Sequence, residues 1–168
     1  MKKIYGLLVL VSLVCVGCAV VDKTPIYYTT TFNKAQAERM LGPGKNRIIA
    51  NDYIIHKYED GSREIQICAG GTILLMPATE RATEYINILF GSRSWIRNSR
   101  TGYIHDRIAN EDPDFMRLVA GRRCDSDGYA VFDNVADGEF YVLSQLSSNY
   151  SVQKVRVKGG QTVKVVLY

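Results

Sequence analysis

Histidine and proline are scarce in this 168-residue chain, which has two of the first and four of the second beside a single tryptophan. Two isolated histidines cannot supply a histidine-rich metal cluster, and four scattered prolines cannot build a proline-rich linker. No charge of one sign dominates either. Lys and Arg number 21 against 17 Asp and Glu, a net +4, too weak a bias to argue for a nucleic-acid partner. Hydrophobic residues at 46% and charged residues at 23% are ordinary globular usage, which excludes disordered, fibrous and multi-span membrane classes. Tyrosine is what the chain has in quantity, 11 residues against 5 phenylalanines. The length suits one domain.

Catalytic signatures are missing as well. Gly91-Ser92-Arg93-Ser94-Trp95 lacks the second glycine of a nucleophile elbow. A Ser-His-Asp site would need His56 or His105, and the surroundings of neither propose a partner, although Asp106 adjoins His105. Gly42-Pro43-Gly44-Lys45 has neither the spaced glycine nor the Ser/Thr of a phosphate loop. Asp125-Ser126-Asp127-Gly128 suggests a calcium loop, but Arg123 stands at the first ligand position and Asn134 at the twelfth. The reading is therefore a non-enzyme with no catalytic residue, no metal site and no cofactor.

The long apolar run lies at the start. Lys2 and Lys3 precede an uncharged stretch over residues 4–16, and Gly17-Cys18 closes it. A plain secretory signal would end small-x-small. A cysteine at the cleavage position instead resembles the lipobox of bacterial lipoproteins, with Cys15 where that family usually has leucine. The resemblance implies removal of residues 1–17, diacylation of the Cys18 sulfur, of the palmitate kind, and acylation of the new amino group. Several acyl chains hold a protein at a membrane where one is marginal. Ala19, rather than Asp, follows the cysteine, which implies the outer membrane if the host has one. An uncleaved anchor and ordinary secretion are the alternatives, since the uncharged stretch extends to residue 21. With Cys15 removed and Cys18 lipidated, Cys68 and Cys124 remain. Two thiols in an oxidising compartment are expected to form a disulfide, with two buried free thiols as the alternative.

Residues 18–45 read as the lipidated cysteine and an extended tether, with a short helix over 33–41 capped by Asn33 and stopped by Gly42. From Arg47 the period changes to two: a strand is expected over 48–54, a hairpin turn at Asp60-Gly61, and further strands over 64–68 and over 72–76 up to Pro77. Ala82, Tyr85, Ile86, Leu89 and Phe90 then recur at helical spacing, with Gly91 as terminator. Residues 92–114 are polar and aperiodic. Strand signals return over 115–119, 129–132, 139–143, 152–157 and 162–168, punctuated by Asp127-Gly128, Asp137-Gly138 and Gly159-Gly160. About seven short strands with such turns predict a mainly β chain, an antiparallel Ig-like sandwich with one short helix in an insertion over 78–114.

Residues 124–143, CDSDGYAVFDNVADGEFYVL, sharpen that expectation. Asp127-Gly128, Phe132, Asn134-Val135, Gly138 and Tyr141 resemble the signature of the carboxypeptidase regulatory-like, or transthyretin-like (prealbumin-like), β-sandwich domain. Ala136 stands where that family usually has proline. Residues 68–79 and 155–167 are similar to its upstream strand pair and final hairpin, and some bacterial members carry cysteines at the places of Cys68 and Cys124. The resemblance spans residues 46–168 apart from the insertion, and it implies a fold rather than an activity.

The expected role is a membrane-anchored envelope module that binds or scaffolds a protein or glycan partner. An assembly lipoprotein of an envelope-spanning secretion machine is the alternative, and an accessory domain for peptidase or glycan chemistry a further one. Trp95 and Tyr103, with Arg93, Arg97 and Arg100, form the candidate binding surface, because aromatic and arginine side chains are enriched at interaction hot spots. A solvated loop capping a sheet edge would have the same composition. Mass measurement of the mature amino terminus is expected to show residues 1–17 removed and acyl chains on Cys18. Finding the leader still attached would defeat that assignment.

Overall fold

The computed structural model describes residues 23–97 and 104–168. The leader, Cys18, Arg100 and Tyr103 lie outside these residues.

Helix α1 (Lys34–Leu41) begins where the Asn33 side chain accepts a hydrogen bond from the Gln36 N–H at 2.9 Å, and ends at Gly42. Strand β1 (Pro43–Lys57) follows directly. Its even positions Ile48, Ala50 and Asp52 turn inward while the odd ones face out. A Cβ at Gly44 would sit 2.1 Å from the Val135 carbonyl oxygen, so only glycine allows that approach, beside a bulge between Asn46 and Ile48. The Asp60-Gly61 turn leads to β2 (Arg63–Ile67), with Gly61 at φ 83°. Strand β3 (Thr72–Pro77) is followed by α2 (Glu80–Phe90), capped by the Thr79 side chain and closed by Gly91. Then come β4 (Trp95–Arg97), β5 (Ala120–Arg123), β6 (Tyr129–Val135), β7 (Gly138–Leu146), β8 (Asn149–Val157) and β9 (Thr162–Leu167).

The nine strands among the described residues form two sheets. One contains β2, β1, β6 and β9; the other runs β4-β8-β7-β3-β5. Strand β1 serves several partners along its length: β6 antiparallel over the first half, β2 antiparallel from Tyr53 to Lys57, and β9 over Arg47 to Asp52. The β1–β9 pair is parallel, a departure from the all-antiparallel expectation. Sequence spacing carries no record of which distant strand closes a sheet edge. A second departure concerns residues 115–119, expected as a strand. There Phe115 is buried, a 3₁₀ turn spans Met116–Leu118, and pairing starts only at Ala120. Phe115 is held edge-on by Phe32 at 5.4 Å and Tyr85 at 5.5 Å, which draws the backbone away from the sheet.

Two cores result. The inner one lies between the sheets and contains Ile48, Ile73, Leu75, Phe132, Phe140, Val142 and Leu167. The outer one lies on the far face of the five-stranded sheet, where Met76, Tyr141, Leu143 and Val152 meet Tyr85, Ile86, Leu89 and Phe90 of α2. The helix of the 78–114 insertion is thus a third layer, and β4 of the same insertion extends the sheet beside β8. The Cys68–Cys124 disulfide joins the β2–β3 turn to the end of β5, with Cα atoms 5.9 Å apart and a sequence separation of 56. Closing a loop of that length removes unfolded-state entropy worth about 4 kcal/mol in the chain-entropy model.

Residues 23–32 do not form a free tether. They run as a strap over α2 and the insertion. Ile26 makes a parallel bridge with Ile108, the Asn110 side chain bonds both backbone groups of Tyr28, and the Arg81 guanidinium sits 4.0 Å over the Tyr28 ring and donates to the Thr30 carbonyl. Glu84 receives four bonds, from the backbone N–H and hydroxyl of Thr29 and of Thr30, at 2.5 to 2.9 Å. Burial alone would raise the Glu84 carboxyl, but these donors outweigh it and bring it down to about 2.

Asn46, 1% exposed, ties the opposite end together. Its amide donates to the Val135 carbonyl and to Asp137, both at 2.9 Å, while its oxygen accepts from the Gly160 and Gln161 N–H groups. Asp52, equally buried, is less well served. Burial raises its carboxyl; Ser144 and the Tyr53 backbone oppose this weakly, and neither carboxyl oxygen reaches a partner in hydrogen-bond geometry among the described residues.

Two stability measurements test these assignments. A carboxyl raised in the folded state supports folding while it stays protonated. The Asp52 contribution should therefore be full below its unfolded value of 3.8 and lost as pH climbs through the higher folded value. Thermal melts of Asp52→Asn should match the parent near pH 3.5 and exceed it at pH 7; equal melting at both would refute the buried-charge account. Glu84 has the opposite sign, stabilising above its unfolded value of 4.5 and losing that contribution toward about 2. Chemical denaturation of Glu84→Gln at pH 7 should show a loss of about 1–3 kcal/mol, shrinking as pH falls below 4.

Candidate functional site

The ends of β1 and β9, strand β4 and the start of β8 meet at one end of the sandwich, around a groove of about 450 Å³. Tyr53, Ile55 and Lys57 reach it from the odd, outward-facing positions of β1. Trp95 stands on β4, whose pairing with β8 sets it opposite Ser151. Asn149 opens β8, and Tyr168 follows the last pair of β9, its carbonyl oxygen accepting from the Ser151 hydroxyl at 3.4 Å. Trp95 is 47% exposed and Tyr168 62% exposed, a large presentation of aromatic surface for residues that normally bury it. Ser94, Asn149 and the Lys57 ammonium supply polar groups between them, and Lys57 is the charged side chain of the lining.

Of the candidate residues read from the sequence, Trp95 lines this groove, while Arg93 and Arg97 are exposed to either side of it along the chain. Arg97 faces Asn149 in the β4–β8 register. Tyr53 and Tyr168 were not singled out by sequence reasoning. They belong to ordinary alternating strands, and only the β1–β9 pairing brings them to Trp95. The tyrosine count was the signal available.

Other hollows have different characters. A cavity of about 350 Å³ between α2 and the five-stranded sheet is walled by Leu74, Met76, Leu89 and Leu143. Burial pushes the Tyr85 phenol on its wall up to about 12, with Glu111 and Tyr150 adding to the effect, so the hydroxyl stays protonated. Two wide depressions of about 710 and 610 Å³ flank the strap and are lined by Thr29, Thr30 and Glu80. The histidines are engaged apart from each other: His105 Nδ1 lies 3.0 Å from Glu111, and His56 3.1 Å from the Gln66 side chain. Among the described residues no three His, Cys, Asp or Glu side chains group as a metal centre would require.

No protein-family model and no curated protein sequence matches the chain. Among solved structures it is similar to a Pseudomonas aeruginosa protein described as a "putative carbohydrate binding protein". The two share 19% identity at a TM-score of 0.59, over 82% of this chain and 97% of that one. At that identity the likeness is one of fold: a β-sandwich built from two sheets with helices added.

Proposed function

We propose that the chain is a non-catalytic glycan-binding module of the cell envelope, held at a membrane by acyl chains on Cys18 and placed at the outer membrane where the host has one. The observation that carries the binding role is the pair of exposed aromatic side chains, Trp95 and Tyr168, bordering one groove with Tyr53. Hydrogens on the flat face of a sugar ring carry partial positive charge and meet the negative face of an aromatic ring, while flanking amides and hydroxyls bond the ring's hydroxyl groups. Ser94, Asn149 and Lys57 are placed for that second task. The fold shared with the Pseudomonas protein supports the reading, as does its description. The anchor rests on the lipobox-like sequence ending at Cys18.

Trp95 is the chain's single tryptophan, so its emission reports on the groove directly. Titration of the detergent-solubilised protein with chito-oligosaccharides and oligogalacturonides should shift or quench that emission saturably with at least one of them. Trp95→Ala, read by calorimetry, should then weaken binding at least tenfold without lowering the melting temperature. Silence toward both sugar classes, or undiminished affinity in the variant, would sink the proposal.

A further inference from the structure

The two sheets differ in how their outer faces are covered. The five-stranded sheet is roofed by α2 and the strap, whereas none of the described residues lies over the outer face of the four-stranded sheet. That bare face is apolar. Tyr53 pairs with Ile67 and Ile55 with Ile65 across β1–β2, while Asn51 lies between Tyr129 of β6 and Val166 of β9. Ile65 is 63% exposed and Tyr129 44% exposed. Single exposed apolar residues need no explanation, but a contiguous field of them on one sheet face marks a surface that binds something.

Three features of the face specify what. It is continuous with the groove, because Tyr53, Ile55 and Tyr168 belong to both. Its aromatic side chains form a row across three adjacent strands. Asp52 pairs with Leu167, which sets Tyr53 beside Tyr168, about 4.8 Å away across the strands. Tyr129 lies one strand over and two residues back from Tyr53, about 8 Å on the diagonal. Lastly, the rim is cationic. Lys57 stands directly opposite Arg63, and Lys164 lies beside Ile49. The acid on this face, Asp133, is already paired with Arg47 at 3.1 Å. Like charges placed opposite each other in a ladder repel, so Lys57 and Arg63 disfavour the empty face and favour one carrying negative charge.

We propose that the groove is one end of a longer platform, and that the platform binds an extended, carboxylate-bearing polysaccharide. Successive sugar rings lie over Trp95, Tyr168, Tyr53 and Tyr129, and their carboxylates meet Lys57, Arg63 and Lys164. This rests on the glycan reading of the groove and adds to it both the length and the charge of the ligand.

The test compares polygalacturonate with neutral hydroxyethylcellulose, and each with a trisaccharide of its own sugar, on the detergent-solubilised full-length protein. Polygalacturonate is expected to bind at least tenfold tighter than hydroxyethylcellulose at 20 mM salt, the margin narrowing at 300 mM as the charges are screened. Tyr129→Ala and Lys164→Glu should each weaken polymer binding five- to tenfold and trigalacturonate binding less than twofold. Both residues are exposed, and unchanged melting curves confirm that the variants fold. If the trisaccharide binds but neither variant affects the polymer, the platform falls and the groove stands. If no glycan binds, the reading of the groove falls with it. Equal affinity for single-stranded DNA would reduce the face to a cation exchanger, and a dimer that loses its association in Tyr129→Ala would show the occupant to be a second copy. Either result overturns the proposal.

Discussion

Between Phe140 and Ser144, strand β7 has no face left for solvent, and the arrangement of the other elements follows from that. Phe140 and Val142 point into the space between the sheets, and Tyr141 and Leu143 point the other way, toward α2. A two-layer sandwich would leave that second set wet. Covering it requires a third layer, which α2 supplies with a face of Tyr85, Ile86, Leu89 and Phe90. A helix of 11 residues is marginal alone, so its stability comes from this contact. Strand β3 obeys the same rule, with Ile73 and Leu75 inward and Leu74 and Met76 toward the helix. The central strands therefore belong to two cores at once, and neither core can be lost without the other.

The strap follows from the same constraint. Helix α2 covers the sheet with one side and would leave Tyr85 and Phe115 partly open on the other. Tyr28 and Phe32 close that side, each meeting the Phe115 ring edge-on. Glu84 and the buried Arg81, from the flank of the same helix that meets the strap, bind the strap's backbone. The described chain enters this contact at residues 23–24, so the part of the sequence that reads as a leash is largely consumed in folding. On the lipoprotein reading, the acylated cysteine lies only a few residues before the first docked one.

Local physics was legible in the sequence and long-range pairing was not. The apolar spacing of Ala82 through Phe90 fixes α2 because a helix repeats over a few residues, and Asn33 and Gly42 frame α1 for the same reason. The resemblance to a transthyretin-like domain anticipated the sandwich, and the pairing of Cys68 with Cys124 followed from compartment and count. By contrast, Asn46 reads as one more polar residue in a strand, yet it receives or donates bonds across more than a hundred residues of sequence. Residues 115–119 are apolar enough to suggest a strand, but three aromatic rings claim Phe115 first. Trp95 was recognisable as a surface aromatic from its polar, aperiodic neighbourhood. Tyr53 and Tyr168 were not, because their placement depends on a parallel β1–β9 pair that no local pattern encodes.

That parallel pair also decides which aromatic side chains meet at the groove. Adding β9 beside β1 places the final tyrosine next to Tyr53, and the strand order of the other sheet leaves β4 at its open edge with Trp95 beside them. Edge strands normally carry charge or cover to prevent unwanted pairing. Strand β4 is instead three residues long, with Ile96 buried and Trp95 and Arg97 turned out, so it presents side chains while offering little backbone to a passing strand. The same economy holds on the bare face, where Lys57 and Arg63 cap the apolar field at the hairpin end and Arg47 and Asp133 close it at the other. One outer face of the sandwich is thus spent on building the fold, and the other is left uncovered by the described residues, apolar in the middle and charged at its ends.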